Sequence, residues 1–310
     1  MLNGRAIGAA GGWLADRLLG EPGVRPHPVA AFGSAMATFE RWAWRDSRLA
    51  GTLHAGGGTG LGVLAGAAVR AGLGAGLPST LAATYVAVAG RRLGEAATDV
   101  AAALGAGDVD AARELLRSLV GRDPTALDEK EIVRAVVESV AENTVDAVVA
   151  PMLWAVAAGA PGVLGYRAVN TVDAMVGQRS PRYCRYGWAG ARLDDLAAWV
   201  PARVTAAAVV AVRPSAAGAV WRAVHHDAPG HPSPNAGVAE AAFAAALGLR
   251  LGGENRYGDR VEVRPPLGTG RPPEVDDVAA AVRLSSDVGA ALAVLLFGTA
   301  TVARWRRWRL

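Results

Sequence analysis

The chain has 310 residues, a net charge of +4 and a hydrophobic fraction of 52%, with a mean hydropathy of +0.22. Its only cysteine, Cys184, excludes an internal disulfide and any multi-cysteine metal site. Its only lysine, Lys130, follows Glu129 rather than glycine, which excludes a Walker A loop. A background rich in alanine and glycine without β-branched alternation points to helices and to a chain greasier than a typical soluble domain.

Uncharged windows approaching the ~20 residues of a membrane helix recur along the chain. Asp16 and Arg17 interrupt the N-terminal apolar run, so no cleaved signal peptide is expected. Residues 49–69 and 71–90 form the first pair of windows, separated by Arg70. Within the first, Gly58, Gly62 and Gly66 repeat every four residues, a smooth ridge on which another helix can pack closely. The glycines of GGGTGLG have no strand before them, which argues against a dinucleotide-binding turn.

From 91 to 146 the pattern becomes that of amphipathic soluble helices. Asp108 is a plausible cap for VDAARELLRSLV, which Gly121 ends, and Asp123-Pro124 opens the next segment. Val133, Val136, Val137 and Val140 then bury one face of a helix. The opposite face carries Glu138, Glu142 and Asp146 at intervals of four, like charges that must be solvated, paired with arginine, or bridged by a hard cation such as Mg²⁺.

This stripe leads into the third window, 147–166, where Pro151, Gly159, Pro161 and Gly162 make a straight helix doubtful. A broken or re-entrant segment would bring the polar motifs at its two ends to one cavity. The motif beyond it, YRAVNTVDAMVGQRSPRYCRYGWAGARLDD (166–195), sets Asn170 and Asp173 on one helical face among Arg167, Arg179, Arg182, Arg185 and Arg192. Those arginines fit either ion pairs with acids such as Asp194 and Asp195 or the binding of phosphate or carboxylate.

A fourth apolar stretch covers 204–212, and residues 222–287 are again polar. There His225, His226, Asp227 and His231 lie in a proline-rich loop poorly suited to zinc. SPNAG (233–237) reads as a helix entry capped by Ser233 or Asn235, AEAAFAAALGL as a helix, GGENRYGD as polar chain, and VEV (261–263) as the one strand-like piece. The window 288–303 closes the chain before Arg304-Trp305-Arg306-Arg307-Trp308-Arg309. Tryptophans at the interface and arginines on the cytoplasmic side explain that tail, with a nucleic-acid patch as the competing reading. Nucleic acid is not the expected partner.

The motifs ESVAENTVDAVVAP, YRAVNTVDAMVG, ARLDDLAAWVPAR, HPSPNAGVAEAAFAAALGLRLGG, RPHPVAAFG and GRDPTALDEKEIVRAVVES together resemble the CobD/CbiB family, the adenosylcobinamide-phosphate synthases. The chain departs from the usual family pattern at Glu21, Pro124 and Gln178, and the lost hydroxyl at Pro124 weakens any phosphate role for that loop. The resemblance implies a multi-pass enzyme of the cell membrane. It would join a propionate carboxyl of adenosylcobyric acid to (R)-1-amino-2-propanol or its O-phosphate, with ATP as energy source and Mg²⁺.

On that basis Glu138, Glu142, Asn143, Asp146, Asn170 and Asp173 are expected to be catalytic, with Glu142 and Asp146 on the metal. His27, Arg167, Arg192, Asp194, Asp195, Ser233 and Asn235 are expected to contact substrate. The expected fold is all-α, a polytopic helical membrane protein with amphipathic soluble helices and polar loops between spans. It is read as one membrane-embedded domain over 1–310 with cytoplasm-facing polar insertions at 91–146 and 222–287 and a cytoplasmic C-terminus. The partners expected are the corrinoid, the amino alcohol and the lipid bilayer. The rival is a membrane transporter of an anionic small molecule, for which an internal repeat would speak; the sequence has no convincing one.

Overall fold

The computed structural model describes residues 2–121, 123–178, 180–257 and 260–307. In chain order the helices are α1 (Leu2–Leu19), α2 (Pro28–Ala43), α3 (Arg48–Leu73), α4 (Leu77–Ala87), α5 (Gly90–Gly105), α6 (Val109–Leu116) and α7 (Glu129–Thr144). A π-helical turn, Val145–Val149, leads into α8 (Ala150–Val176), followed by α9 (Trp188–Ala197), α10 (Trp199–Val212), α11 (Ala217–His226), α12 (Ala236–Leu247) and α13 (Val275–Arg307). Between the last two lie strands β1 (Leu251–Tyr257) and β2 (Arg260–Leu267). The chain forms two compact units: Met1–Ala89 with Asp146–Ala198 and Leu292–Leu310, and Gly90–Val145 with Trp199–Ala291.

Small residues set the packing of the first unit. Gly58, Gly62 and Gly66 are buried on α3, and a Cβ at Gly62 would fall 2.6 Å from that of Ala168 on α8. A Cβ at Gly12 on α1 would likewise come within 2.5 Å of the Thr84 side chain on α4. Helices this close gain dispersion contacts along their backbones, the driving force that remains where no water is displaced.

The third apolar window folds back on itself. Tyr166 Oη lies 3.4 Å from the Asp146 carbonyl oxygen, and Asn170 Nδ2 lies 3.1 Å from the Asp146 carboxylate. A straight helix would hold residues 146 and 166 about 30 Å apart at 1.5 Å per residue. The reversal is at Gly159, whose φ of 68° and ψ of −152° are open only to glycine. Two residues later, Pro161 has no N–H for the carbonyl of Ala157, and Arg5 of α1 supplies the missing donor, its Nη1 lying 2.8 Å from that oxygen.

Several expectations need correction. By length and composition two helical stretches among the described residues can cross a membrane, Glu129–Val176 and Val275–Thr301, and three if α9 and α10, bent by 42°, count as one. The window 71–90 is cut by a turn at Gly74 and Gly76, both at positive φ, and its helix α4 has 11 residues, about 17 Å and too short to cross. Asp123-Pro124 opens no helix. α7 starts instead at Asp128, which forms a reciprocal capping box with Glu131 and so satisfies two orphan donors at once.

The second unit is built around α12, whose residues Ala236–Ala244 are all buried and which Gly248 ends in the left-handed conformation. Residues 252–257 of the polar run GGENRYGD belong to β1, and 258–259 lie outside the described residues. β1 and β2 pair antiparallel, with Glu254 opposite Val263 and a register shift between Leu251 and Gly253, so VEV is only part of a strand. Gly252 and Gly253 take φ of 85° and 106° at that bulge, which makes the hairpin base a site for glycine.

Removing the Arg5 donor strands the Ala157 carbonyl. Arg5→Ala is expected to destabilise the detergent-solubilised protein by about 0.5–1.5 kcal/mol in thermal unfolding, and Arg5→Lys by less. An unchanged midpoint in both would show that the reversal does not need this bond.

Candidate functional site

The doubled-back segment assembles a polar network inside the first unit. Arg167 Nη1 donates to Asn170 Oδ1 at 3.2 Å, and Asn170 Nδ2 is shared between Asp146 Oδ2 at 3.1 Å and Asp194 Oδ1 of α9 at 3.3 Å. A carboxamide can accept through its oxygen and donate through its nitrogen at the same time, so Asn170 touches all three charges. The π-helical turn matters here: its wider register takes Asp146 off the i, i+4 line of Glu138 and Glu142.

Beside this network opens a cleft of about 620 Å³. Its polar lining is Glu21, His27, Ser34, Arg167 and Thr171, and its apolar wall includes Val86, Val88 and Met175. The Arg167 Nε–H is buried without a hydrogen-bond partner. A buried guanidinium donor left open beside a cleft is a ready contact for a carboxylate or phosphate oxygen. His27 caps α2, its Nδ1 accepting from Val29 N at 3.3 Å, so the neutral ring carries its proton on Nε2 and offers a donor there.

The other expected residues of this unit do different work. Asp173 lies over the end of α8, where any side chain at Gly177 would collide with its carboxylate. Arg192 and Asp195 form a long exposed pair at 4.0 Å, an arrangement worth little. Arg182 donates to buried Glu40 at 2.8 Å, Arg185 lies 3.6 Å from Asp46, and Arg179 falls outside the described residues. The arginines of the motif therefore divide: Arg167 meets the cleft, while Arg182 and Arg185 hold the fold.

Residues 9–285 match the family described as CobD/Cbib protein. The chain is 51% identical over 297 residues to the cobalamin biosynthesis protein CobD of Mycobacterium tuberculosis, covering 94% of each. The chain belongs to the CobD/Cbib family. It is also 42% identical to the cobalamin biosynthesis protein CobD of Geobacter metallireducens, covering 82% of this chain and 84% of the relative. The same identity relates it to the protein of that name from Rhodobacter capsulatus, over 83% and 84%. No solved structure matches.

In this CobD/Cbib protein the remaining expected residues belong to the second unit. Glu138 is buried, accepts from Gly252 N at 3.0 Å and lies 4.0 Å from Arg134. Asn143 donates back to the Ser139 carbonyl at 3.0 Å, and Glu142 is exposed. Ser233 Oγ accepts from the backbone of Asn235 and Ala236 as the entry of α12, and Asn235 Oδ1 accepts from Arg203 at 2.8 Å. Among the described residues no group of three or more His, Cys, Asp or Glu side chains is placed to hold a metal ion. That includes the four histidine-cluster residues: His225 and His226 lie in the last turn of α11 and not in a loop, His225 packs on Trp221, and Asp227 accepts from Gly268 N.

The residues missed from the sequence are Tyr166 and, in the second unit, Glu240. Tyr166 sits one helical turn before Asn170 within the quoted motif. Glu240 is fully buried in an otherwise uncharged helix, 3.6 Å from His231 and 3.7 Å from Arg264. A single carboxylate in AGVAEAAFAAAL is itself the signal, since a charge is kept there only with partners.

Burial holds the His231 imidazole below its ordinary pKa, its hydrogen bond with the Ser233 carbonyl acting the other way. The unfolded chain therefore binds the proton more readily, and stability from this site is present above the ordinary value of 6.5 and is lost as pH falls below it. Unfolding midpoints should drop with acidification below pH ~6.5, and His231→Gln should flatten that part of the profile. A wild-type midpoint constant from pH 7.5 to 5.5 would contradict the assignment.

Proposed function

We propose that this protein, acting in cobalamin biosynthesis, forms an amide between a propionate carboxyl of adenosylcobyric acid and (R)-1-amino-2-propanol or its O-phosphate. The product is adenosylcobinamide or its phosphate. The observation that carries the reading is the Arg167–Asn170–Asp146–Asp194 network beside a mostly apolar cleft, in a chain of this family.

The chemistry sets the requirements. An amine does not displace oxide from a carboxylate, so the carboxyl must first be activated. With ATP as co-substrate, a carboxylate oxygen attacks the γ-phosphorus and ADP leaves. The amine then attacks the acyl carbon, phosphate departs, and the amine loses a proton. Both steps gather negative charge on phosphoryl oxygens, which fixed cationic donors stabilise.

Arg167 fits that role, with one Nη bonded to Asn170 and its buried Nε–H open. Asn170 keeps Asp146 and Asp194 in place, since its Nδ2 contacts both. Mg²⁺ is commonly held by one or two carboxylates together with substrate phosphates. Asp146 and Asp194 are the carboxylates that would hold it, and the ion would supply charge neutralisation. Glu142, exposed on α7 in the second unit, is not among the residues assigned to the ion. The apolar wall of the cleft suits the aliphatic edge of a large substrate, and His27 Nε2–H is a further donor to it.

The membrane placement is supported by the two helical stretches long and apolar enough to cross. A cytoplasmic C-terminus is part of the proposal and rests on the arginines of the tail.

The decisive assay uses purified protein in detergent with adenosylcobyric acid, aminopropanol phosphate, ATP and Mg²⁺, and follows the amide by mass spectrometry. Arg167→Gln, Asn170→Ala and Asp194→Asn should each lower kcat/KM by roughly 10²–10³ with normal expression, and Asp173→Asn by less. Wild-type turnover in all three would remove the site. Substrate uptake into vesicles without amide formation would favour the transporter.

A further inference from the structure

One end of the first unit carries a surface that the proposed chemistry does not use. There residues 40–51 are fastened to residues 182–188. Arg182 donates to buried Glu40 at 2.8 Å and stands 4.6 Å over the Trp44 ring, while Arg48 stands 5.1 Å over the ring of Trp188. Arg185 lies 3.6 Å from Asp46, and Gly51 packs against the Tyr186 carbonyl with no room for a side chain.

The joined surface is basic and aromatic. Arg41 donates to the Thr38 hydroxyl and Arg45 to the Trp44 carbonyl. Among the described residues, neither of these nor Arg48 has a carboxylate partner. Between them Trp42 is 80% exposed, Leu49 69% and Trp188 43%. Bulk water suits the arginines and not the tryptophans, and hydrocarbon the reverse. The headgroup layer of a bilayer suits both, because indole rings settle there while guanidinium groups reach lipid phosphates.

We propose that this end of the first unit sits at headgroup level, with Arg41, Arg45 and Arg48 bound to the phosphates of anionic phospholipids and Trp42 and Trp188 in the interfacial layer. The proposal rests on the membrane reading and is independent of the reaction catalysed. It also explains why the guanidinium groups with no acid of their own stand on the outer side of this junction, while Arg182 and Arg185 are neutralised within it. Arginines near an anionic leaflet gain from its surface potential, and salt weakens that gain.

Cys184 is exposed within this surface and is the chain's only cysteine, so a fluorophore placed on it reports the site. The full-length labelled protein is reconstituted into phosphatidylcholine vesicles with and without phosphatidylglycerol. Lipids bearing a quencher at the headgroup should quench it more than lipids bearing one at the chain centre. Phosphatidylglycerol should strengthen the headgroup quenching, and high salt or Arg41→Glu/Arg45→Glu should abolish the increase.

In detergent, phosphatidylglycerol should raise Tm where phosphatidylcholine and inorganic phosphate do not. The double variant should keep its Tm in phosphatidylcholine and lose the rise, which separates lost lipid binding from misfolding. An equal rise with inorganic phosphate would mean a small-anion site, and shielding from both quenchers in a dimer would mean a second copy covers the patch; either overturns the proposal. Release of the protein from membranes by carbonate would remove the membrane reading and this inference with it. A protein that stays embedded with Cys184 unquenched removes this inference alone.

Discussion

The hydrogen bond from Arg5 to the Ala157 carbonyl is the constraint on which the first unit depends. A chain that reverses within a helical segment must free backbone groups, and a freed carbonyl is costly wherever lipid rather than water would surround it. Gly159 makes the reversal possible and Pro161 makes it obligatory, since proline cannot donate to the oxygen one turn back. Neither residue satisfies what it exposes. Arg5, from a helix more than 150 positions earlier, does, and so α1 and the two limbs of α8 become one structural element.

From that reversal the polar network follows. Residues 146 and 170 are distant along the chain but adjacent in space because the limbs lie side by side. The close approach of α3 along Gly58, Gly62 and Gly66 then supports the returning limb from outside. Buried polar groups of this kind are costly unless fully bonded, and they specify one arrangement when they are. Asn170 satisfies Arg167, Asp146 and Asp194 together; an alanine there would leave three charges without their common partner. What remains open, the Arg167 Nε–H, belongs to a residue that lines the cleft, where a ligand rather than the protein can complete it.

Much of this was legible in the sequence, and the failures have physical causes. The glycine ridge could be read because a four-residue repeat has one geometric meaning on a helix. The break near Gly159 could be read from Pro and Gly, though the partner of the broken turn could not, since Arg5 carries no local mark. The acidic stripe was misjudged as a single face: burial beneath the hairpin takes Glu138, and a π-helical turn, invisible to a period of 3.6, redirects Asp146. The hairpin itself was hidden because GGENRYGD has turn composition and its pairing rests on register rather than apolar alternation. Window hydropathy also overcounted spans, because it does not register the turn that ends α3 or the shortness of α4.

The near-exclusive use of arginine is best understood through the different tasks it performs here. Arg5 reaches a backbone carbonyl on another helix, Arg167 bonds an amide through one nitrogen while presenting another, and Arg182 combines a carboxylate bond with stacking on Trp44. Each task uses the planar fork, with several donors held at fixed angles on one weakly hydrated group. An ammonium concentrates its charge at one strongly hydrated point and could perform only one half of each task. Genomic bias can fill a surface with arginine, but it does not explain a guanidinium that joins a carboxylate bond to ring stacking at Arg182, or an amide bond to an open buried donor at Arg167. Those sites are where the arginine is structural or chemical, and the exposed pair of Arg192 with Asp195 is where it need not be.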